Sequence, residues 1–211
     1  MIQRNLAAPL RELATHYPVV AITGPRQSGK TTLCQAIFGD RLPYVSLEPI
    51  DARDYASRDP RGFLQEYGGG AIIDEVQRSP DLLSYLQEVV DDDSTPGQFV
   101  LTGSQHFGLS EALSQSLAGR VGLLHLLPPG FDELQRFDDP PTELLQVIWS
   151  GAYPRIHDRG IPPDVWIRDY FATYVQRDVR QVLNVTDLEA FSTFVALAAG
   201  RTATEVNLSR M

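Results

Sequence analysis

Gly24-Pro25-Arg26-Gln27-Ser28-Gly29-Lys30-Thr31 is the stretch on which the reading of this chain turns. Its spacing is G-x-x-x-x-G-K-[ST], in which glycines let the backbone curl so that successive N–H groups face phosphate oxygens. Both flanks fit. Pro18-Val19-Val20-Ala21-Ile22-Thr23 is a short apolar run ending in glycine and reads as a buried strand. Residues 31–38 read as a helix stopped at Gly39. A helix N-terminus directly behind the loop adds its partial positive charge to the cradle. The chain has 17 arginines and a single lysine, Lys30. Arginine serves wherever a generic positive charge is needed, and the compact three-donor ammonium is kept where a planar fork fits badly.

Moving outward, Ala71-Ile72-Ile73-Asp74-Glu75 is an apolar strand ending in two carboxylates. In such a pair Asp74 can hold Mg²⁺ with the Thr31 hydroxyl, while Glu75 orients or deprotonates an attacking water. Phe99-Val100-Leu101-Thr102-Gly103-Ser104-Gln105 repeats the design with hydroxyls and an amide at the strand end. Ser104 is the first candidate there to sense a terminal phosphate or fix the water, with Thr102 and Gln105 behind it. Arg120, in Ser116-Leu117-Ala118-Gly119-Arg120, stands just before a fifth strand. It is a candidate to stabilise transition-state charge in its own site or a neighbour's, against the plainer reading of a hydrated surface charge. The cradle residues expected at the nucleotide are Gly24, Pro25, Arg26, Gln27, Ser28, Gly29, Lys30, Thr31 and Thr32, with Arg26 at the phosphate rim or in solvent. The expected catalytic set is Glu75, Lys30, Ser104 and Arg120, and the expected metal ligands are Thr31 and Asp74.

Strands at 18–23, 44–47, 71–73, 99–101 and 121–127 alternate with helical segments, including 79–90 and a polar stretch at 108–118. That alternation predicts an α/β domain, a parallel five-stranded sheet covered by helices on both faces. The expected boundaries are 1–127 for this domain, beginning with an amphipathic helix in 1–17. A Pro-, Asp- and Gly-rich connecting region follows at 128–163, with one convincing helix at 142–149. Helical residues 164–211 come last, with a long helix at 164–182 and a capping box at Thr186-Asp187-Leu188-Glu189. The apolar stripes Ile167, Tyr170, Phe171, Tyr174 and Phe191, Phe194, Val195, Ala198 are more than two helices can bury on each other.

Composition narrows the function. No run of 18 apolar residues occurs, so no transmembrane helix is expected. The N-terminus lacks the cleavage site of a signal peptide. The lone Cys34 forms no internal disulfide and suits a reducing cytoplasm. His16, His106, His125 and His157 are scattered without zinc-ligand spacing. Net charge is −9, and residues 1–149 hold 20 acidic and 11 basic side chains against 7 and 7 in residues 150–211. Such a field disfavours a nucleic-acid partner. Arg168, Arg177 and Arg180 on the long helix keep a nucleic-acid-associated ATPase in view, although Asp169 and Asp178 stand ready to pair with them. The only lysine lies in the cradle, so the Asn-Lys-x-Asp guanine reader is absent and ATP is the expected nucleotide. The adjacent Asp74-Glu75 pair points to the additional-strand, catalytic-glutamate class of P-loop proteins rather than to small-molecule kinases.

The series GPRQSGKTTL, AIIDEVQRSPDLL, FVLTGSQ, SLAGRV, Gly151-Ala152-Tyr153-Pro154 and Asp169-Tyr170-Phe171-Ala172-Thr173-Tyr174-Val175-Gln176-Arg177-Asp178-Val179-Arg180 spans essentially the whole chain. It resembles the prokaryotic AAA-type ATPases, predicted ATP-binding proteins that carry an uncharacterised C-terminal domain. The resemblance implies that the strand bearing Ser104 lies between those bearing Gly24 and Asp74. It also implies Walker roles for Lys30, Thr31, Asp74 and Glu75, whereas Arg120 matches a motif with no firm role. Proteins of that family continue well beyond the position of Met211, so this chain resembles their ATPase domain plus the start of the next. The expected activity is Mg²⁺-dependent ATP hydrolysis, with a homo-oligomer or an unknown protein as partner. The alternative is a nucleotide-gated interaction module with little turnover.

Overall fold

The computed structural model of the chain describes residues 2–104, 113, 115–174 and 187–202. The calls on Gln105, His106, Arg177, Asp178, Arg180, Thr186 and on most of 108–118 lie outside these residues. Two compact units are present, Met1–Gly160 and Ile161–Met211.

The first unit opens with α1 (Ala7–Leu13), β1 (Val19–Gly24), α2 (Lys30–Phe38), β2 (Tyr44–Ser46), α3 (Ile50–Arg58) and α4 (Pro60–Glu66). It continues with β3 (Ala71–Asp74), a 3₁₀ turn at Val76–Arg78, α5 (Leu82–Asp92), β4 (Phe99–Ser104) and β5 (Val121–His125). All strand pairs are parallel and the order is β2-β3-β4-β1-β5. The strand carrying Ser104 thus lies between those carrying Gly24 and Asp74. Every residue of β1, β3 and β4 is buried, which is why these strands read as unbroken apolar runs rather than as alternations.

Alternation survives in the direction of the side chains. Val19, Ala21, Ile73, Phe99 and Leu101 pack with Leu83 and Leu86 of α5 and Phe63 and Leu64 of α4. Val20, Ile22, Ile72 and Val100 pack on the opposite face with Leu10 of α1 and Leu33, Cys34 and Phe38 of α2. The sheet is therefore clothed on both sides by helices, as the alternation of elements predicts.

Three short helices follow where the sequence suggests one: α6 (Phe131–Leu134), α7 (Leu144–Ser150) and α8 (Pro154–Arg159). The two extra ones are held by their ends rather than by periodicity. The Glu133 side chain reaches back to the Gly130 N–H, and α8 starts on Pro154 and stops at left-handed Gly160. In α7 Leu144, Leu145, Ile148 and Trp149 are exposed.

The second unit contains α9 (Pro163–Tyr174) and α10 (Leu188–Ala199). Asp187 caps α10 by accepting a hydrogen bond from the Ala190 N–H at 2.8 Å. No residue of α10 is buried, and Ile167, Phe194 and Leu197 are exposed. Among the described residues no helix is long and apolar enough to cross a membrane.

Candidate functional site

Parallel strands deliver their carboxyl ends to one edge, where β3 ends in Asp74, β4 in Ser104 and β1 in Gly24, the first residue of the loop. The register sets Gly24 of β1 beside Ser104 of β4, and Ile73 beside Leu101 places Asp74 next in line. Gly24, at φ 150°, turns the chain out of the sheet. A Cβ on it would stand 2.2 Å from the Leu126 carbonyl oxygen, so no other residue fits. The loop then closes onto α2 through Gly29 in the left-handed region, and no side chain caps the N-terminus of that helix. The first N–H groups of α2 are thus left to whatever occupies the loop. Thr32 follows on α2 with its side chain exposed.

Lys30 is buried. Its Nζ donates to the Gly24 carbonyl at 3.0 Å and to the Pro25 carbonyl at 2.8 Å, folding the ammonium back across the loop. Burial lowers the Lys30 pKa, an effect opposed by the negative charges of Glu75 and Asp74.

Asp74 is the node of the site. Its Oδ1 accepts from the Thr31 hydroxyl at 2.8 Å and from the Thr102 hydroxyl, and its Oδ2 accepts from Tyr44 Oη at 3.0 Å. Burial and the Asp74 charge push the Tyr44 phenol up to about 12, so it stays a donor. Ser104 Oγ is buried and has no hydrogen-bond partner among the described residues. A buried hydroxyl without a partner costs about 1–3 kcal/mol, which marks a place shaped for something else.

Glu75 takes φ 59° and ψ 41°, and Gln27 in the loop has φ 61°. They are the two non-glycine residues with positive φ among the described ones, and both lie at this edge. The left-handed step at Glu75 ends the strand and turns its side chain away from that of Asp74. The carboxylate accepts a hydrogen bond from the Gln77 amide.

Arg120 lies elsewhere. Its carbonyl accepts from the Val19 N–H at the opposite, amino end of the sheet, five residues before Gly24. At strand rise that is roughly 17 Å from the loop. Its guanidinium pairs with Asp91, at 2.9 Å from Nη2 to Oδ2, on a partly exposed surface. The expectation that Arg120 could act in its own site is corrected by this placement, because no arginine side chain spans that distance.

Reasoning from the sequence missed Tyr44, Gln77, Arg4 and Glu133. Tyr44 carried a weak signal, since it opens the strand flanking Asp74. Gln77 meets Glu75 through the local left-handed turn, and Arg4 and Glu133 are brought together from opposite ends of the first unit, which no spacing rule encodes.

Residues 16–135 match the family described as AAA domain, and residues 141–211 match a domain of unknown function (DUF8612). An uncharacterized protein of Mycobacterium tuberculosis is 34% identical over 194 residues, covering 85% of this chain and 40% of its own length. The chain therefore spans less than half of that relative. Among solved structures, a DNA replication initiation factor aligns with TM-score 0.51 and 17% identity, covering 87% of this chain and 69% of that one. AMPPCP-bound DnaA from Aquifex aeolicus aligns with TM-score 0.50 and 17% identity, covering 95% and 69%. At such identity the likeness is one of fold. With the strand order, the loop and more than half of the chain in agreement, the chain belongs to the AAA domain family of P-loop ATPases.

Proposed function

We propose that the chain binds ATP with Mg²⁺ and hydrolyses it at the carboxyl edge of the sheet. One observation carries this reading. The single lysine, the Thr31–Asp74 oxygen pair at 2.8 Å and the partnerless Ser104 hydroxyl meet at the ends of three adjacent strands. Lys30 exchanges its two loop carbonyls for β- and γ-phosphate oxygens, and the open N–H groups of α2 receive the rest of the chain of phosphates. Thr31 and Asp74 are hard oxygen donors that suit Mg²⁺, an ion that takes few protein ligands, and it supplies charge neutralisation at the phosphates. Glu75 accepts a proton from the attacking water, while Ser104 donates to that water or to the terminal phosphate. Thr102 and Tyr44 hold the Asp74 carboxylate in place throughout.

The test is calorimetric titration with ATP and Mg²⁺ together with steady-state phosphate release, for the native chain and for Lys30→Ala. Binding and turnover in the native chain, both lost in the variant, are the expected outcome. Native turnover that survives in Lys30→Ala would sink the proposal.

A second reading has its own support. The Gln77 amide occupies Glu75, so a nucleotide-gated module with slow turnover is favoured wherever that contact persists with ATP bound. Gln77→Ala separates the two readings, because turnover rises in it only if the contact restrains the base. The acidic excess of residues 1–149 disfavours nucleic acid as partner.

A further inference from the structure

Arg4 lies in the segment before α1, far in sequence from the loop, yet it is buried and so is its ion-pair partner Glu133. Its planar fork joins three separate pieces of chain. Nε donates to Glu133 Oε1 at 3.0 Å, Nη2 to the Leu127 carbonyl at 2.7 Å, and Nη1 to the Ser28 carbonyl at 2.8 Å. Glu133 is held in turn by the N–H groups of Asn5 and Gly130. Burial would raise its pKa, but the Arg4 hydrogen bond and those two amides keep it below the usual carboxylate range.

The contact with Ser28 has a consequence for the loop. The peptide unit is planar and trans, so the Ser28 carbonyl and the Gly29 N–H point in opposite directions. Gly29 sits at φ 95°, where glycine tolerates rotation of the preceding peptide plane more readily than other residues do. A cradle built from inward N–H groups needs its carbonyls turned outward and held there. Lys30 takes the carbonyls of Gly24 and Pro25, whereas that of Ser28 is taken by Arg4.

We infer that Arg4 is a positioning residue for phosphate binding. Gripped by Glu133, it fixes the Ser28–Gly29 peptide plane so that the Gly29 N–H faces the phosphates. The inference rests on the reading of this loop as the ATP cradle. It also ties the loop to α6, which lies just ahead of the DUF8612 match.

The test titrates ATP with Mg²⁺ into the 211-residue chain and into Arg4→Met, Arg4→Lys, Arg136→Met and Lys30→Ala, with the Gly29 amide followed by ¹H–¹⁵N NMR. Arg136 is the control. It stitches Gln3, Asn5 and Asp132 together in the same corner without touching the loop. Arg4→Met is expected to weaken ATP binding about ten- to a hundredfold, the scale of one lost charge-assisted hydrogen bond. The Gly29 amide should lose the shift that nucleotide causes in the native chain. Arg4→Lys, which cannot bridge three acceptors, falls between the two, and Arg136→Met binds as the native chain does. If Arg4→Met does not fold, Glu133→Gln serves instead and is expected to weaken binding about threefold to tenfold. Native affinity in the folded variant tested, or an equal loss in Arg136→Met, overturns the inference. Unchanged affinity in Lys30→Ala overturns instead the reading of the loop as a cradle, whatever Arg4 does.

Discussion

The two ends of the central sheet are made differently. At the carboxyl end Thr23, Asp74, Thr102 and Ser104 are buried. Asp74 accepts from Thr31, Thr102 and Tyr44, Thr23 lies against the Leu124 carbonyl and His125 of β5, and Ser104 Oγ has no partner among the described residues. At the amino end Arg120 pairs with Asp91 on a partly exposed surface and also donates to the Ala118 carbonyl, and the buried Gln98 side chain at the same end donates to Asp93. Burying polar groups costs free energy unless they are paired, and at the carboxyl end that cost falls on the Ser104 hydroxyl, which has no partner among the described residues. A surface ion pair costs and gains little. The difference teaches where to look for chemistry: at polar groups the fold has gone out of its way to bury.

Substitutions that cut the two ends apart put this contrast at risk. The largest effect is expected from Lys30→Ala, which removes the charged donor proposed to hold the phosphates. ATP affinity should fall by at least about a hundredfold in calorimetry. Next comes Glu75→Gln. Turnover should drop roughly a hundredfold, the scale for losing a general base, with ATP affinity retained. Asp74→Asn should instead weaken the Mg²⁺ dependence of binding. If both carboxylate variants showed the same Mg²⁺ defect, the division of roles between them would be wrong.

Ser104→Ala is the sharper probe, with an expected loss of turnover of about tenfold. Because the hydroxyl has no partner among the described residues, its removal should leave the melting temperature unchanged or slightly raised. A variant that melts early and turns over normally would make Ser104 a structural residue. The smallest effect belongs to the amino end. Arg120→Ala should keep ATP affinity within about twofold, as a partly exposed residue roughly 17 Å from the loop must. Should its turnover fall, mixing with Lys30→Ala protein decides the cause. Recovery of activity means that Arg120 serves a neighbouring subunit, and no recovery means that the two ends are coupled through the sheet.

Much of the carboxyl end was legible before any coordinates. The loop spacing, the apolar strand before it and the paired carboxylates at 74 and 75 are local patterns, and local patterns survive in sequence. Even the strand order followed, through resemblance, for Ser104. What stayed hidden is contact made across the chain. Thr102 grips Asp74 because β4 lies beside β3, and Tyr44 reaches the other oxygen from an edge strand. No one-dimensional pattern ranks Thr102 over Ser104 for that task. Arg120 failed in its own site for a simpler reason: it precedes its strand, and a residue before a parallel strand lies at the end away from the loops. Residues 128–160 hid α6 and α8 because helices of four and six residues have no period to read.

Cys34 lies on the inner face of α2, one turn behind Lys30, against the sheet. Burial, and then the nearby Asp74 charge, push its thiol up to about 12. At neutral pH the thiol therefore stays protonated, and the buried sulfur is shielded from reagents. Since the sequence has no other cysteine, an alkylating reagent meets a silent protein until α2 lifts off. The rate of labelling then becomes a clock for the opening of the phosphate side, read without any engineered probe. Nucleotide that clamps the loop should slow the clock.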